Sequence, residues 1–253
     1  MKGNILINRR SFLTLLASTP IFANQIITKK NNDIFVSLEE WPIFTSALER
    51  LLRVRKYVGY GNFNIISFDK ALFYARNYTK IGEFTKDELA LLDELFYEEP
   101  TKYGFYGKRT NHNITDKIKT KDILKIPHTG HYLFKGKALD DYTRIKKDVG
   151  HDVVLTSGVR GIVKQMTLYM KKIYSLKGNI TEASYSLAPP AYSYHSISDF
   201  DVGKKGFGYS NFTEKFTTTK EYKNLKKLDY ISLRYTVNNK EGVRYEPWHI
   251  KVI

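Results

Sequence analysis

The chain has 253 residues and no cysteine, so disulfides, a catalytic thiol and a thiolate metal site are all excluded. With 42% hydrophobic and 14% aromatic residues it can bury a substantial core and is not a disordered polymer. Its formal net charge of +15 favours anionic partners. The lysines are spread along the chain without a nucleic-acid motif, which argues against nucleic acid and for polymers that expose carboxylates or phosphates.

In chain order, Asn8-Arg9-Arg10-Ser11-Phe12-Leu13-Thr14, a short apolar stretch and Ile21-Phe22-Ala23 have the layout of an export signal with a twin-arginine head. The apolar stretch is too short for a membrane span. Cleavage after Ala23 removes Lys2, Arg9 and Arg10 and no acid, lowering the charge from +15 to +12, so the mature protein stays basic. Residues 24–33 read as a polar linker. Helix is expected over residues 42–57, with Ile43, Phe44, Ala47, Leu48, Leu51 and Leu52 on one stripe and Gly59 beyond the end. Further helices are expected over 67–78 and 85–97, the latter opening with the capping box Thr85-x-x-Glu88. The aromatic run 97–107 reads as a packing loop.

From residue 136 the pattern changes. A helix carrying Ala138, Leu139, Tyr142, Ile145 and Val149 precedes a strand at 153–155. A second helix follows, with Ile162, Met166, Tyr169, Met170 and Ile173 on one face. A short helix is expected over 219–228, then a hairpin of 231–237 with 243–253 through residues 238–242. Helices followed by an antiparallel pair indicate an α+β domain. The expected organisation is a signal at 1–23, a helical segment at 24–127 and a catalytic domain at 128–253.

Three segments carry chemistry. Tyr245-Glu246-Pro247-Trp248-His249-Ile250 sets a carboxyl and an imidazole three positions apart. In extended chain those positions face opposite ways, so a shared site requires a bend, which Pro247 makes accessible. Ser193-Tyr194-His195 is followed by Asp199 and Asp201, and zinc accepts both imidazole and carboxylate. Thr156-Ser157-Gly158-Val159-Arg160-Gly161 places Arg160 at a strand-to-helix turn, where a guanidinium reaches an anionic group without crossing the core. His112, His128, His131 and His151 read as structural; His128-x-x-His131 lies in a Pro/Gly loop without a carboxylate partner. No Gly-rich phosphate loop and no G-x-S-x-G sequence is present.

On these segments the chain resembles the VanY-type D-alanyl-D-alanine carboxypeptidases of the LAS zinc peptidases. Their pattern runs S-G-Y-R-S with a Gln five after the Arg, then S-x-H-x-x-G-x-A-x-D, L-R-Y-P, G and Y-E-P-W-H. Here it is represented by Ser157-Gly158-Val159-Arg160 with Gln165, Ser193-x-His195 with Asp201, Leu233-Arg234-Tyr235, Gly242 and Tyr245-Glu246-Pro247-Trp248-His249. The resemblance covers about the last half of the chain. Five residues separate His195 from Asp201 where the family has six, so Asp199 falls at the family's Ala, and Val159 replaces the aromatic.

The resemblance implies a LAS-type zinc peptidase fold, an antiparallel sheet with flanking helices, preceded here by the helical segment. It implies Zn2+ held by His195, Asp201 and His249, Glu246 as general base, Arg160 stabilising the oxyanion, and Ser193 and Gln165 positioning substrate. Asp199 is the alternative carboxylate ligand. The expected substrate is the peptidoglycan stem peptide, in the periplasm or cell envelope. D,D-dipeptidase and wall endopeptidase activities use the same motifs, and a non-catalytic wall-binding module is the reading from another class.

Overall fold

The computed structural model describes residues 32–252, so the expected signal at 1–23 and most of the expected linker lie outside the described residues. The first helix, α1 (Trp41–Val58), has Pro42 in its first turn and buries Phe44, Ala47, Leu48, Leu51 and Val54 along one stripe. Gly59 ends it at φ 83° and leads into a single turn, α2 (Tyr60–Phe63). Ser67 caps α3 (Phe68–Asn77) by accepting from the Lys70 amide.

Helix α4 (Lys86–Tyr97) opens with both bonds of the Thr85/Glu88 capping box. Glu88 does more than cap. Its buried carboxylate also receives the Arg50 guanidinium and the Ser46 hydroxyl of α1, which ties the start of α4 to α1.

The second half begins with a short antiparallel hairpin, β1 (Ile123–Lys125) and β2 (Tyr132–Phe134), and α5 (Lys137–Val149). Strand β3 (Val153–Ser157) leads into α6 (Ile162–Ser175), followed by α7 (Ile180–Ser186), β4 (Phe200–Lys204), α8 (Lys220–Leu225), β5 (Ser232–Leu233) and β6 (His249–Lys251). The sheet order is β3-β4-β6-β5 and every pairing is antiparallel. The architecture is α+β.

Two apolar clusters result. In one, α1, α3 and α4 pack with α6 and α7, and Tyr192, Tyr194, Tyr235 and Val243 join them, so residues from both halves of the chain share one core. In the other, Leu155, Phe200, Val202, Trp248 and Ile250 of the sheet region pack against Tyr142 and Ile145 of α5 and Leu225 of α8.

The expected hairpin of 231–237 with 243–253 forms, but its paired strands are short. Pairing is confined to Ser232↔Lys251 and Leu233↔Ile250, with backbone bonds from Arg234 N–H to His249 O and from Glu246 N–H to Tyr235 O extending it. The intervening residues bend away to pack on the N-terminal half: Tyr106 N–H donates to Glu241 O, and Gly242 (φ 75°) lies against the Gly104 carbonyl so closely that an added Cβ would collide with it. Helix α7 and the β1–β2 hairpin are not among the expected elements. Helix α7 carries its own signal, Asn179 accepting from the Glu182 amide. The β1–β2 hairpin turns through 126–131, with His128 at φ 61° and Gly130 at φ 73°.

Candidate metal centre

The sheet register assembles the site. Asp201 of β4 pairs with His249 of β6 on one side and with Ser157 of β3 on the other. An irregularity between Leu155 and Ser157 allows that alignment. Phe200 and Val202 point into the second core by strand alternation, which turns Asp201 and Asp199 to the opposite face.

His195 reaches the same face from a single 3-10 turn, Tyr194–Ser196. The amides of Ser198 and Asp199 both donate to the Tyr194 carbonyl, folding the chain back between His195 and β4. The Glu246-to-His249 bend is a tight turn in which the His249 amide donates to Glu246 O. Proline following the first residue suits such a turn. Glu246 Oε2 thereby lies 3.2 Å from His249 Nδ1.

The second nitrogen of each imidazole is occupied. His195 Nδ1 lies 2.9 Å from the Gly158 carbonyl, which can only accept, so Nδ1 carries the proton and Nε2 offers its lone pair. An added Cβ at Gly158 would run into the Tyr132 carbonyl, so glycine permits this close packing. His249 Nε2 lies 3.2 Å from Asp199 Oδ2 and donates to it, so Nδ1, which faces Glu246, is the nitrogen left to turn towards an ion once its own proton is lost. Asp199 is itself held by Arg234 Nε and Nη2 at 2.7 and 3.0 Å and by the Val252 amide at 3.0 Å. Arg234 in turn stacks 3.9 Å over the Tyr194 ring.

The three remaining donors, His195 Nε2, Asp201 Oδ1 and His249 Nδ1, lie within 4.8 Å of one another and belong to buried side chains. Asp201 Oδ1 is 3.3 Å from His195 Nε2 and 3.5 Å from His249 Nδ1. Two donors about 2.1 Å from one ion at a tetrahedral angle stand about 3.4 Å apart. His195 Nε2 and Asp201 Oδ1 are buried without a hydrogen-bond partner, a costly arrangement that a cation between them would resolve. Borderline-soft nitrogen donors with one carboxylate suit zinc.

Electrostatics treat the two imidazoles differently. Burial and the Arg160 charge lower His195 to about 4, keeping it neutral as a ligand must be. Burial alone would raise Asp201, but His195 and Arg160 hold it well below the usual carboxylate range. Asp199 falls to about 2 because its bonds to His249 and Arg234 outweigh burial. Burial would lower His249, yet bonds to Asp199 and Glu246 and the Asp201 charge push it up to about 9. The acids around His249 therefore hold positive charge on its ring, and an ion bound there would take the place of the Nδ1 proton.

Arg160 is placed at the strand-to-helix turn, as expected. Its Nη2 bonds Asp201 Oδ2 at 2.6 Å and its Nε bonds Ser157 Oγ at 2.8 Å, so it braces the central carboxylate. It also lines a cavity of about 20 Å³ together with Gln165, Ser193, His195, Glu246 and His249. That volume admits one water-sized guest. Gln165 Nε2 donates to Ala188 O at 2.7 Å, while its buried Oε1 has no partner. All seven residues singled out in the sequence thus meet at one place, and Asp199 stands behind His249, bonded to its outer nitrogen.

Sequence reasoning missed the bracing role of Arg234, although it lies within the Leu233-Arg234-Tyr235 segment, and the ring of Tyr235 standing edge-on 4.9 Å from His249. His131, read from the sequence as structural, has surroundings that its own loop does not show. His131 is partly buried, and burial with the Lys164 and Arg160 charges lowers it to about 4, with Asp201 and His195 close enough to act on it.

Residues 136–253 match the model of the VanY family, described as D-alanyl-D-alanine carboxypeptidase. No curated protein matches the sequence. Among solved structures the chain is similar to the LdcB LD-carboxypeptidase, at 23% identity and TM-score 0.45 over 54% of this chain and 70% of that one. It is also similar to VanYB in complex with D-alanine-D-alanine, at 19% identity and TM-score 0.41 over 58% of this chain and 84% of that one. A third similar structure is a vancomycin resistance D,D-pentapeptidase VanY mutant in complex with Zn(II), at 19% identity and TM-score 0.38 over 57% and 86%.

Proposed function

We propose that this chain is a zinc-dependent D-alanyl-D-alanine carboxypeptidase that removes the terminal D-alanine of peptidoglycan stem peptides. The observation that carries the reading is the convergence of His195 Nε2, Asp201 Oδ1 and His249 Nδ1, two of them buried without partners, beside the Glu246 carboxyl. The VanY match over 136–253 supports it.

His195, Asp201 and His249 would hold the ion. When bound, zinc supplies Lewis acidity, polarising the scissile carbonyl and lowering the pKa of a water from about 15.7 towards about 7. Glu246 takes the proton of the attacking water on its carboxylate and passes it to the departing amine nitrogen. Arg160, fixed by Ser157 and Asp201, stabilises negative charge developing on the carbonyl oxygen. Ser193 and Gln165 orient the substrate; the unpartnered Gln165 Oε1 offers an acceptor to an amide N–H. Asp199 and Gly158 hold the two imidazoles in the tautomers that present their free nitrogens inward.

The same residues serve a D,D-dipeptidase or endopeptidase, which differ in how much of the peptide the cleft takes. Retention of Glu246 and Arg160 beside the three donors favours catalysis over a wall-binding module. Export through the Arg9-Arg10 signal to the periplasm or cell envelope belongs to this proposal, and the net basic charge suits an anionic wall. Mass spectrometry of purified muropeptides incubated with the protein, with and without chelator, tests the reading. Loss of one D-alanine from pentapeptides, abolished by chelator and restored by zinc, is the expected result; unchanged muropeptides overturn it.

A further inference from the structure

Four of the thirteen exposed large apolar side chains among the described residues, Tyr57, Tyr60, Phe73 and Tyr78, come from one stretch running from the end of α1 through α3. They are not scattered. Tyr57 lies 4.3 Å from Tyr78 and 5.4 Å from Tyr74 between ring centroids, and Phe73 lies 5.8 Å from Tyr74. Tyr57 is 46% exposed, Phe73 48% and Tyr78 39%, so the rings form a continuous apolar shelf that water touches. Contiguous exposed aromatics of this kind mark interaction surfaces, whereas single exposed rings need no explanation.

Cations border the shelf. Lys70 Nζ sits 4.6 Å from the Phe73 centroid and 5.3 Å from that of Tyr74, and the Arg55 guanidinium lies 5.0 Å over Tyr60. Residues 53–80 hold six basic side chains, Arg53, Arg55, Lys56, Lys70, Arg76 and Lys80, against one acid, Asp69; Arg53 and Arg76 are paired with Glu49 and Glu83 just outside this stretch, so the positive rim rests on Arg55, Lys56, Lys70 and Lys80. Asp69 is itself paired with Lys117. An aromatic shelf with a positive rim fits a partner that is amphipathic in its rings and anionic overall.

We propose that this shelf binds the glycan strand of peptidoglycan, the C–H faces of its amino sugars packing on Tyr57, Phe73 and Tyr78 and the carboxylates of its stem peptides pairing with Lys70 and Arg55. The choice of this strand rests on the proposed function, since a stem-peptide hydrolase meets its substrate attached to that polymer. Ring geometry opposes a single-stranded nucleic acid: Tyr57 is tilted 54° and 40° to Tyr74 and Tyr78 in direct contact, leaving no parallel slot for successive bases. Because α1 and α3 share a core with α6, whose N-terminus follows Arg160, the shelf is held rigidly to the metal centre. It would supply affinity for the polymer without touching the reacting atoms.

The test is co-sedimentation of the full-length mature protein with insoluble peptidoglycan stripped of other anionic polymers, beside hydrolysis of a soluble stem pentapeptide. Tyr57→Ala/Phe73→Ala and, separately, Lys70→Glu should each weaken sedimentation about tenfold or more, with pentapeptide turnover unchanged. The Lys70 variant keeps the aromatic packing, so it answers even if the double variant does not fold. Wild-type sedimentation by folded variants overturns the proposal, as does a wild-type protein that ignores peptidoglycan and binds single-stranded RNA or anionic vesicles. If the variants lose sedimentation while the wild type hydrolyses no pentapeptide, the shelf stands and the proposed reaction falls.

Discussion

Asp201 and His249 face each other across the β4–β6 pair, with Asp201 Oδ1 3.5 Å from His249 Nδ1 and the outer nitrogen of the same imidazole held by Asp199. One histidine is thus flanked by two aspartates with different tasks. Asp199 already has two bonds from Arg234 and one from the Val252 amide, so it lacks a free direction for an ion. Asp201 has Arg160 on one oxygen, while the other has no hydrogen-bond partner and faces the two imidazoles. Asp201→Ala should therefore abolish stoichiometric zinc binding. Asp199→Ala should keep one zinc per chain with affinity lowered about 10- to 100-fold, the usual effect of losing an outer partner of a ligating histidine. Metal analysis after dialysis at graded zinc concentrations distinguishes them; the reverse pattern would make Asp199 the ligand.

Glu246 bonds His249 Nδ1 but lies outside the three-donor group. Glu246→Gln preserves shape and removes the proton acceptor. It should retain bound zinc and lower turnover about 10²- to 10⁴-fold, the scale expected of acid-base groups. Zinc loss on this substitution would move Glu246 among the ligands.

Much of this was legible because it is local. The 3.6-residue stripes of α1 and α6, the Thr85/Glu88 box and the turn at Pro247 are written within a few residues, and each formed near its expected place. The Arg234–Asp199 pair joins residues 35 positions apart, and the tautomer of His195 depends on a carbonyl 37 positions away. Nothing near either residue announces the partner. The surroundings of His131 were hidden for the same reason: its loop contains no carboxylate, yet the β1–β2 hairpin docks on β3's end through Val159 N–H to Tyr132 O and carries it towards Arg160. The hairpin of β5 and β6 was read too long because alternation reports exposure, while the loop before Glu246 is drawn off to meet Gly104 and Tyr106.

The expected export signal gives a prediction independent of the site. Changing Arg9 and Arg10 together to Lys should leave the precursor uncleaved inside the cell, while mature protein made separately keeps full activity. Immunoblotting of cell fractions reads the result. Normal processing of the Lys-Lys form would assign export to the general secretory route.

Two carboxyls on α4 are shifted in opposite directions, which makes their pH effects separable. Glu88 is lowered: burial would raise it, but Arg50, Ser46 and the Thr85 amide outweigh burial. Its stabilisation is present above its unfolded value and is lost as pH falls through the folded one. Glu94 is raised to about 7, first by burial and then by the charges of Glu98 and Glu40, with Lys102 opposing. A raised folded-state value means that its contribution is fully present below the unfolded value of 4.5 and is lost as pH climbs through about 7. Glu94→Gln keeps the neutral form at every pH. Its urea midpoint relative to wild type should therefore rise between pH 4.5 and pH 8. Glu88→Gln should instead lose stability, and lose most at the upper end of that range, where the ionised wild-type carboxylate is fully paired. A wild-type-minus-Glu94→Gln difference that stays flat with pH would show that Glu94 ionises freely in the folded protein, and the influence of burial and of the Glu98 and Glu40 charges on it would have to be discarded.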